Sequence, residues 1–183
     1  MAALVACLAC AGAPAGASAA GKDELQLSLR VGAGMVNVDG REPWGVATAL
    51  DGAYGLSDAW ALRLSLEGSL HSVSANAQRQ LPGGAIRTDA VMAGAVYTLD
   101  VLRLVPYAEL ELGVAQIAGA VRAPQTMLAT ELGVGADYFA TRQLVAGLSF
   151  QYLLRPQDLL SNPLNLGNSP FEFSATARLS WIF

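Results

Sequence analysis

The sequence predicts an all-β protein, namely an eight-stranded antiparallel up-and-down transmembrane β-barrel preceded by a signal peptide. The first observation is a strict alternation of apolar and polar residues, which is the period of a strand with one apolar face. The second is that the connections between the alternating segments are by turns short and long. The third is composition: 53% of the 183 residues are hydrophobic and 14% charged, yet no apolar run in the body of the chain reaches the ~18 residues of a membrane helix.

A chain this apolar without a spanning helix must hide its apolar surface in another way. A closed antiparallel barrel does so, because every second residue faces lipid and the ring of strands pairs all backbone groups. The alternative is a soluble lipocalin-like barrel, in which the apolar face points inward. Residue size favours the membrane barrel, since the apolar face is rich in Leu and the polar face is crowded with Gly, Ala and Ser, as a narrow lumen requires.

Eight segments carry the alternation, and their length is close to the ~9 to 11 residues that a tilted strand needs to cross a bilayer. The third segment is the clearest, because Arg63 and Glu67 share its polar face, and two charges on one strand face would be untenable in lipid. The fourth is the least decisive, because residues 90–96 are apolar on both faces; we assign Tyr97 and Leu99 outward. The segments cover approximately residues 25–35, 45–56, 60–71, 87–99, 107–114, 128–138, 144–152 and 171–183.

The connections predict the orientation of the barrel, because such barrels have short periplasmic turns and long external loops. An even number of strands puts both termini on the short-turn side, so we expect both in the periplasm. Aromatic residues near the strand ends are typical of an interfacial girdle. Short turns are expected near residues 57–59, 100–104 and 140–143, and longer loops near 37–44, 72–86, 117–127 and 154–170.

Residues 1–20 predict a signal peptide that precedes a barrel domain of residues 21–183. The segment is apolar and rich in Ala and Gly, and Ala17-Ser18-Ala19 supplies the small-x-small pattern that a signal peptidase cuts after. No Lys or Arg precedes Lys22, so the usual positive n-region is missing, and a start upstream of Met1 is left open.

Both cysteines of the chain, Cys7 and Cys10, lie inside the predicted signal peptide. The mature chain is therefore expected to hold no thiol, disulfide or cysteine metal site. Residues 4–7 also resemble a bacterial lipobox, which leaves lipidation of Cys7 as an alternative. An acyl anchor would add little to a protein that a whole barrel holds in the membrane.

The chain resembles the small outer-membrane β-barrel proteins of the OmpA/OmpX-like class, on its eight amphipathic segments and its last one, FEFSATARLSWIF over residues 171–183. The resemblance implies a bacterial outer-membrane location, contact with outer-membrane lipid, and an assembly signal read by the barrel-assembly machinery. It assigns that signal to Leu179, Trp181 and Phe183. No peptidoglycan-binding segment follows in this sequence, so the resemblance does not extend to cell-wall anchoring.

The polar faces of the segments place a set of charged residues in the lumen. Charges there must be paired or hydrated, because an isolated buried charge is costly. An eight-stranded barrel is just wide enough for side chains to fill it, so we expect a salt-bridged polar plug and a structural or surface-interaction role. The alternative is a narrow ion or small-solute pore, with cation preference because acids outnumber bases. The set is Arg30, Asp51, Arg63, Glu67, Glu109, Glu111, Glu131, Asp137, Glu172 and Arg178.

The only histidine, His71, carries the third hypothesis, a lipid-modifying enzyme. Ser72 and Ser74 follow it, and nucleophilic catalysis needs the base within hydrogen-bond reach of the hydroxyl. Neighbouring strand residues point to opposite faces, so we expect His71 to be a water-exposed rim residue and predict no enzyme, catalytic residue, cofactor or metal site. The net charge of −4 gives no basic patch of the kind that nucleic-acid binding needs, so we expect no nucleic-acid partner, and we expect a monomer.

Overall fold

The computed structural model describes residues 21–37, 41–75, 83–99, 104–119, 122–154 and 172–183. Each strand pairs antiparallel with the next along the chain, and β1 pairs with β8 to close the barrel, which confirms the predicted fold class. The described residues contain no helix long and apolar enough to span a membrane. The strands are β1 (Leu25–Val36), β2 (Trp44–Gly55), β3 (Trp60–Val73), β4 (Gly84–Thr98), β5 (Leu104–Gly119), β6 (Arg122–Phe139), β7 (Leu144–Leu154) and β8 (Glu172–Ile182).

The apolar face of the alternation lies outside the barrel. On β1, Leu27 and Leu29 are 45% and 54% exposed, whereas Ser28 and Arg30 between and beside them are buried. The uncertain fourth segment follows the same rule, since Tyr97 is exposed and Val96 is buried. This arrangement excludes the lipocalin-like alternative, in which the leucines would fill the interior.

The strands are strongly staggered around the ring. Following register partners from Arg30 through β2, β3, β4 and β5 leads to Met127 on β6. Following them through β8 and β7 leads instead to Asp137, ten residues further along β6. Such a stagger requires tilted strands. Side chains from non-adjacent strands therefore meet at one height although no register pair joins them.

The strands extend beyond the predicted bounds towards the long-loop end. The predicted loop over residues 117–127 is wrong, because β5 continues to Gly119 and β6 starts at Arg122. The physical reason is that the alternation continues there, with Ile117 and Met127 packed on the inner side. The predicted loop over 72–86 is shorter for the same reason, since β3 ends at Val73 and β4 starts at Gly84.

The outward phase predicted for Thr130 is kept, but its side chain is buried, because it is short and lies between Leu112 and Leu154 on the two neighbouring strands. Several other expectations cannot be compared. The turns over 56–59 and 140–143 connect β2 to β3 and β6 to β7 as predicted. The signal peptide with both cysteines, the turn at 100–103 and residues 155–171, including Phe171, lie outside the described residues.

Apolar side chains close the lumen at both ends. The loop-end layer is formed by residues at the loop-side ends of four strands: Val36, Val73, Ile86 and Ile117, with Met127 packed against them. The terminus-end layer is formed by Ala53, Ala61, Val96 and Tyr107, with Val105, Val145 and Ile182 also buried at that end. The charged residues around Arg30 and Arg63 lie between these two layers, whereas Glu172 and Asp137 are register partners of Val36 and Val105 within them.

Candidate functional site

All ten predicted lumen residues face the interior. Eight are buried, and Glu67 and Glu172 retain side-chain exposures of 18% and 12%. They come from six of the eight strands, and the described inward residues of β4 and β7 are uncharged. The strand alternation therefore collects charges that lie up to 148 residues apart in sequence, from Arg30 to Arg178, into one charged layer.

Arg30 is the first centre of this layer. Its Nε and Nη2 donate to the two carboxylate oxygens of Asp51 at 2.9 and 2.7 Å, a bidentate pair. Nη2 also donates to Oε1 of Glu67 at 2.6 Å, and Nη1 lies 4.0 Å from Oε1 of Glu131. Charge-assisted pairs of this geometry are strong, and the planar guanidinium fixes the three acids around it.

Arg63 is the second centre, and its side chain is completely buried. It donates from Nη2 to Oδ2 of Asp51 at 2.8 Å and from Nη1 to Oε2 of Glu109. Its Nε lies 3.4 Å from Oε1 of Glu111. Asp51 therefore bridges both arginines, and the strands β1, β2, β3 and β5 are connected through one continuous ion-pair network.

Arg178 lies apart from the other two arginines and has mainly uncharged partners. Its Nε donates to the hydroxyls of Ser28 and Ser180 at 3.2 and 3.1 Å, and its guanidinium carbon lies 5.1 Å from the ring centre of Tyr107. Its acid partner is Asp137, at 3.3 Å. Arg178 is the register partner of Arg30, as neighbouring strands require, but the two arginines turn to different partners.

Several inward polar residues support the network and were not among the predicted site residues. Gln151 donates to Oε1 of Glu109 at 3.2 Å, and Ser174 donates in turn to Gln151 at 2.9 Å. Ser65 is also buried in the charged layer, and Tyr107 of the terminus-end layer borders it through Arg178. The signal that could have found them is their inward position in the alternation; being uncharged, they do not stand out from other lumen residues.

Three carboxylates of the layer approach one another closely. Oxygen atoms of Glu109, Glu111 and Glu131 lie within 4.8 Å of one another, and all three residues are buried. Sequence spacing does not reveal this group, because Glu131 lies on β6 and the other two lie two residues apart on β5. Hard cations bind to carboxylate oxygens, but here Arg63 contacts Glu109 and Glu111, and Arg30 lies 4.0 Å from Glu131.

A small cavity borders the charged layer and is lined by both polar and apolar residues. Its volume is about 30 Å³, roughly enough for two water molecules at ~10 to 15 Å³ each. Polar residues line its walls on several strands. They include Arg30, Glu67, Ser69, Glu131, Gln151 and Glu172.

His71 is not the exposed rim residue that the sequence predicts, since it is 2% exposed. Its Nε2 lies 2.8 Å from the hydroxyl of Ser69 and 3.6 Å from Oε1 of Glu172. The ring has room because it packs on Gly45, where a Cβ would come within 2.7 Å of Nδ1. Ser72 lies on the opposite, exposed face, as the alternation predicts, so the two do not form a nucleophile and base pair.

The three residues of the predicted assembly signal form an outward row on the last strand. Leu179, Trp181 and Phe183 are 54%, 45% and 65% exposed. The backbone N–H of Phe183 donates to the carbonyl of Leu25 at 2.9 Å, so the chain end is tied to the start of β1. The row belongs to the strand that closes the barrel.

The comparisons with known proteins agree with this architecture. The family profile of the outer membrane protein beta-barrel domain matches residues 3–178, whereas comparison with curated proteins gives no match. The crystal structure of neisserial surface protein A is similar at a TM-score of 0.65 and 14% identity, covering 86% of this chain and 96% of that one. Ail of Yersinia pestis, in complex with the heparin analogue sucrose octasulfate, is similar at a TM-score of 0.58 and 15% identity, and the match covers 88% of this chain and 99% of that one. OprG of Pseudomonas aeruginosa is similar at a TM-score of 0.58 and 13% identity, and the match covers 89% of this chain and 98% of that one. Family profile, closed eight-stranded ring and outward apolar face together establish that the chain belongs to the outer membrane protein β-barrel domain family and is a protein of the bacterial outer membrane.

Proposed function

We propose that the protein is a non-conducting outer-membrane barrel with a structural or surface-interaction role, rather than a pore or an enzyme. The observation that carries this proposal is the layered lumen. Apolar side chains including Val36 and Ile86 close one end, others including Val105 and Val145 close the other, and all four are completely buried. The charged layer between them is tied together by Arg30 and Arg63.

An ion that crossed this lumen would meet three obstacles in turn. It would lose its hydration shell in each apolar layer, and an unpaired charge in such surroundings is costly. In the centre it would have to displace guanidinium groups from carboxylates that they hold at 2.6 to 2.8 Å. Breaking a buried pair costs about 3 to 5 kcal/mol, and this cost adds to the dehydration cost at the two apolar layers.

Planar-bilayer recording tests the proposal. The refolded wild-type protein should give no current steps above the protein-free baseline, while a known porin added afterwards shows that insertion works. The double variant Ile86→Gly with Val145→Gly removes one side chain from each apolar layer. It serves as the positive control for a widened lumen. Regular current steps from the wild type would overturn the proposal and favour a pore. The excess of lumen carboxylates predicts that such a pore would select cations.

The proposed orientation places both termini and the short turns in the periplasm, and the long loops outside. Each side of the membrane has an exposed residue for single-cysteine labelling. Arg142 lies on a short turn, and Ala123 lies on β6 near the loop end. In intact cells, a maleimide too large to cross the outer membrane should label Ala123→Cys and not Arg142→Cys. Labelling of Arg142→Cys alone would show the opposite orientation.

The outward row on β8 supports recognition by the barrel-assembly machinery. The row lies on β8, whose pairing with β1 closes the barrel. Phe183→Ala should lower the folded, heat-modifiable fraction in cells and leave refolding into detergent unchanged. Leu110→Ala, which removes an equally outward side chain from β5, is the matched control. An equal loss in both variants would mean that the row acts only through general hydrophobicity.

The surface-interaction role is assigned to the loop end, where β5 and β6 extend furthest. Residues 123–126 of β6 are exposed there. The Ail structure contains a heparin analogue, a polyanion. The present chain has a formal net charge of −4, which disfavours a polyanionic partner by simple repulsion. We propose a monomeric barrel whose partner meets this end.

A further inference from the structure

We propose that the outer wall of the barrel binds one phosphorylated glycolipid of the outer leaflet, with its phosphate on Arg87 and its amide and hydroxyl donors on Asp89. The ligand class is a phosphorylated glucosamine with amide-linked acyl chains, which is the chemistry of lipid A. The proposal rests on the orientation proposed above, in which the loop end faces outside. It goes beyond the loop-end role, because the site lies on the wall that faces lipid.

A strip of polar residues interrupts the apolar outer face on one side of the barrel. On the other side, the outward residues of β1 and the described outward residues of β8 are apolar throughout. Hydrocarbon cannot satisfy polar groups, so the strip requires a polar neighbour. The polar strip runs through consecutive register partners from β2 to β6, namely Thr48, Gly68, Asp89, Gln116 and Thr126, with Arg87 beside Asp89 on β4.

The height of Arg87 places it at the outer boundary of the bilayer. Near the terminus end of β4, the outward ring of Tyr97 lies 4.9 Å from that of Trp60, as in an interfacial girdle. Asp89 and Arg87 lie eight and ten residues from Tyr97 along the strand. A tilted strand rises roughly 2.5 Å per residue along the membrane normal, so they lie about 20 and 25 Å from Tyr97, against an apolar band of about 25 Å. The cation is therefore at head-group level, and the carboxylate is just beneath it.

The ion pair of Arg87 and Asp89 leaves both side chains open to the lipid side. Nε and Nη2 of Arg87 donate to the same oxygen, Oδ1 of Asp89, at 2.8 and 2.7 Å. The two side chains are nonetheless 65% and 41% exposed. A guanidinium group has five N–H donors, so this pair leaves donors of Arg87 for a phosphate oxygen, the acceptor that arginine binds most strongly beside a carboxylate.

A hollow without a side chain lies next to this pair, at Gly68. A Cβ at Gly68 would lie 3.7 Å from Oδ1 of Asp89 and 3.9 Å from Oγ1 of Thr48, so the space is open and is bordered by two oxygens. On the same strand towards the terminus end, Leu66 and Leu64 are 50% and 54% exposed. From the outside inward, the wall therefore presents a cation, then oxygen acceptors, then leucines.

A phosphorylated acyl-glucosamine presents complementary groups in the same order. Its phosphate is outermost, amide N–H and hydroxyl donors lie beneath it, and acyl chains follow. A glycerophospholipid carries ester-linked chains and has no amide donor below its phosphate, so it can satisfy Arg87 but not the acceptors beneath it. The order of groups therefore selects the glycolipid.

Native mass spectrometry of the refolded, heat-modifiable protein in detergent tests the site. The protein is titrated with bisphosphorylated lipid A, with dephosphorylated lipid A and with phosphatidylglycerol. One lipid A should be retained per chain, about tenfold more tightly than either of the other lipids, as expected for one charge-assisted contact. Equal affinity for lipid A and phosphatidylglycerol would overturn the proposal. The measurement does not depend on orientation in cells, so it can fail independently of the labelling experiment above.

Two variants assign the binding to the polar strip. Arg87→Gln should lower the affinity for lipid A by about tenfold, to the level of the dephosphorylated lipid. Gly68→Leu keeps every charge but fills the hollow, and it should weaken the binding of lipid A without changing that of phosphatidylglycerol. Arg142→Gln is the matched control, because it removes an exposed arginine from a short turn at the opposite end, and it should bind lipid A as the wild type does.

Both test substitutions lie on the outward face, and heat-modifiable migration identifies the folded fraction before each titration. Either variant alone can decide the outcome if the other does not fold. The proposal is overturned if the folded variants bind lipid A as tightly as Arg142→Gln does.

Discussion

Replacing Arg63 by Met should destabilise the barrel more than any other single loss of charge. The Arg63 side chain is fully buried and contacts three acids, Asp51 at 2.8 Å, Glu111 at 3.4 Å and Glu109. Met fills a similar volume without charge, so the carboxylates would remain buried and uncompensated. Removing one partner of a buried pair costs about 3 to 5 kcal/mol. Since about 1.4 kcal/mol is a factor of ten, the folding equilibrium should fall by roughly 10² to 10³-fold or more.

The assay is urea unfolding from phospholipid vesicles, followed by fluorescence of the three tryptophans. With a urea dependence of about 2 kcal/mol per M, the midpoint should move down by roughly 2 M. Arg87→Met is the matched control. Arg87 pairs with Asp89 at 2.7 Å, but its side chain is 65% exposed. An exposed pair of this kind contributes under about 1 kcal/mol.

A triple variant distinguishes charge from packing. Arg63→Met combined with Asp51→Asn and Glu109→Gln leaves a cavity of the same shape. It also removes two of the carboxylate charges that Arg63→Met leaves without a partner. The triple variant should recover much of the lost stability, because the free-energy effects of substitutions within one ion-pair network are not additive. If Arg63→Met has the same midpoint as Arg87→Met, or if the triple variant is less stable than Arg63→Met, the ion-pair network does not stabilise the lumen as argued.

Two further predictions concern the inner and outer faces. Gly133→Ala should cost about 1 to 3 kcal/mol by the same urea assay, because its Cβ would collide with the Glu109 side chain. Gly52→Ala, whose Cβ would lie 3.7 Å from Leu27, should stay within about 0.5 kcal/mol; equal costs would contradict this packing. Leu64→Lys at mid-height should cost about 2 to 4 kcal/mol in a bilayer, and Leu104→Lys at a strand end about 0 to 1 kcal/mol. Equal effects in bilayers would mean that Leu64 does not face lipid.

The fold could be predicted from the sequence because its determinants are local. A period of two sends every second residue to the same face, and burial of Ser28 and Arg30 beside exposed Leu27 and Leu29 follows from that geometry alone. The inward position of the charged residues follows from the same rule. The outward position of Tyr97 in the fourth segment is confirmed as well, because the aromatic side chain marks the outward phase near the strand end.

The contacts within the lumen could not be predicted, because they depend on the stagger around the ring. Glu109 and Glu131 are not register partners, since Glu109 pairs with Gly133 and Glu131 with Glu111. Which side chains share a height is decided only when all eight strands close. His71 shows the same limit: its burial depends on the small residues Gly34 and Gly45 of two other strands, which leave space for the ring.

The layering of the lumen explains how a narrow barrel can contain more acids than arginines. Small residues lie opposite the largest polar ones, as Gly133 does for Glu109 and Gly147 for Asp137, so the side chains fit without pushing the strands apart. The apolar layers then exclude bulk water, which strengthens each ion pair and also raises the cost of each unpaired carboxylate. A water-filled pore would need neither the apolar ends nor the tight packing. The same enclosure that argues against conduction therefore makes the ion pairs of Arg30 and Arg63 a requirement of the fold.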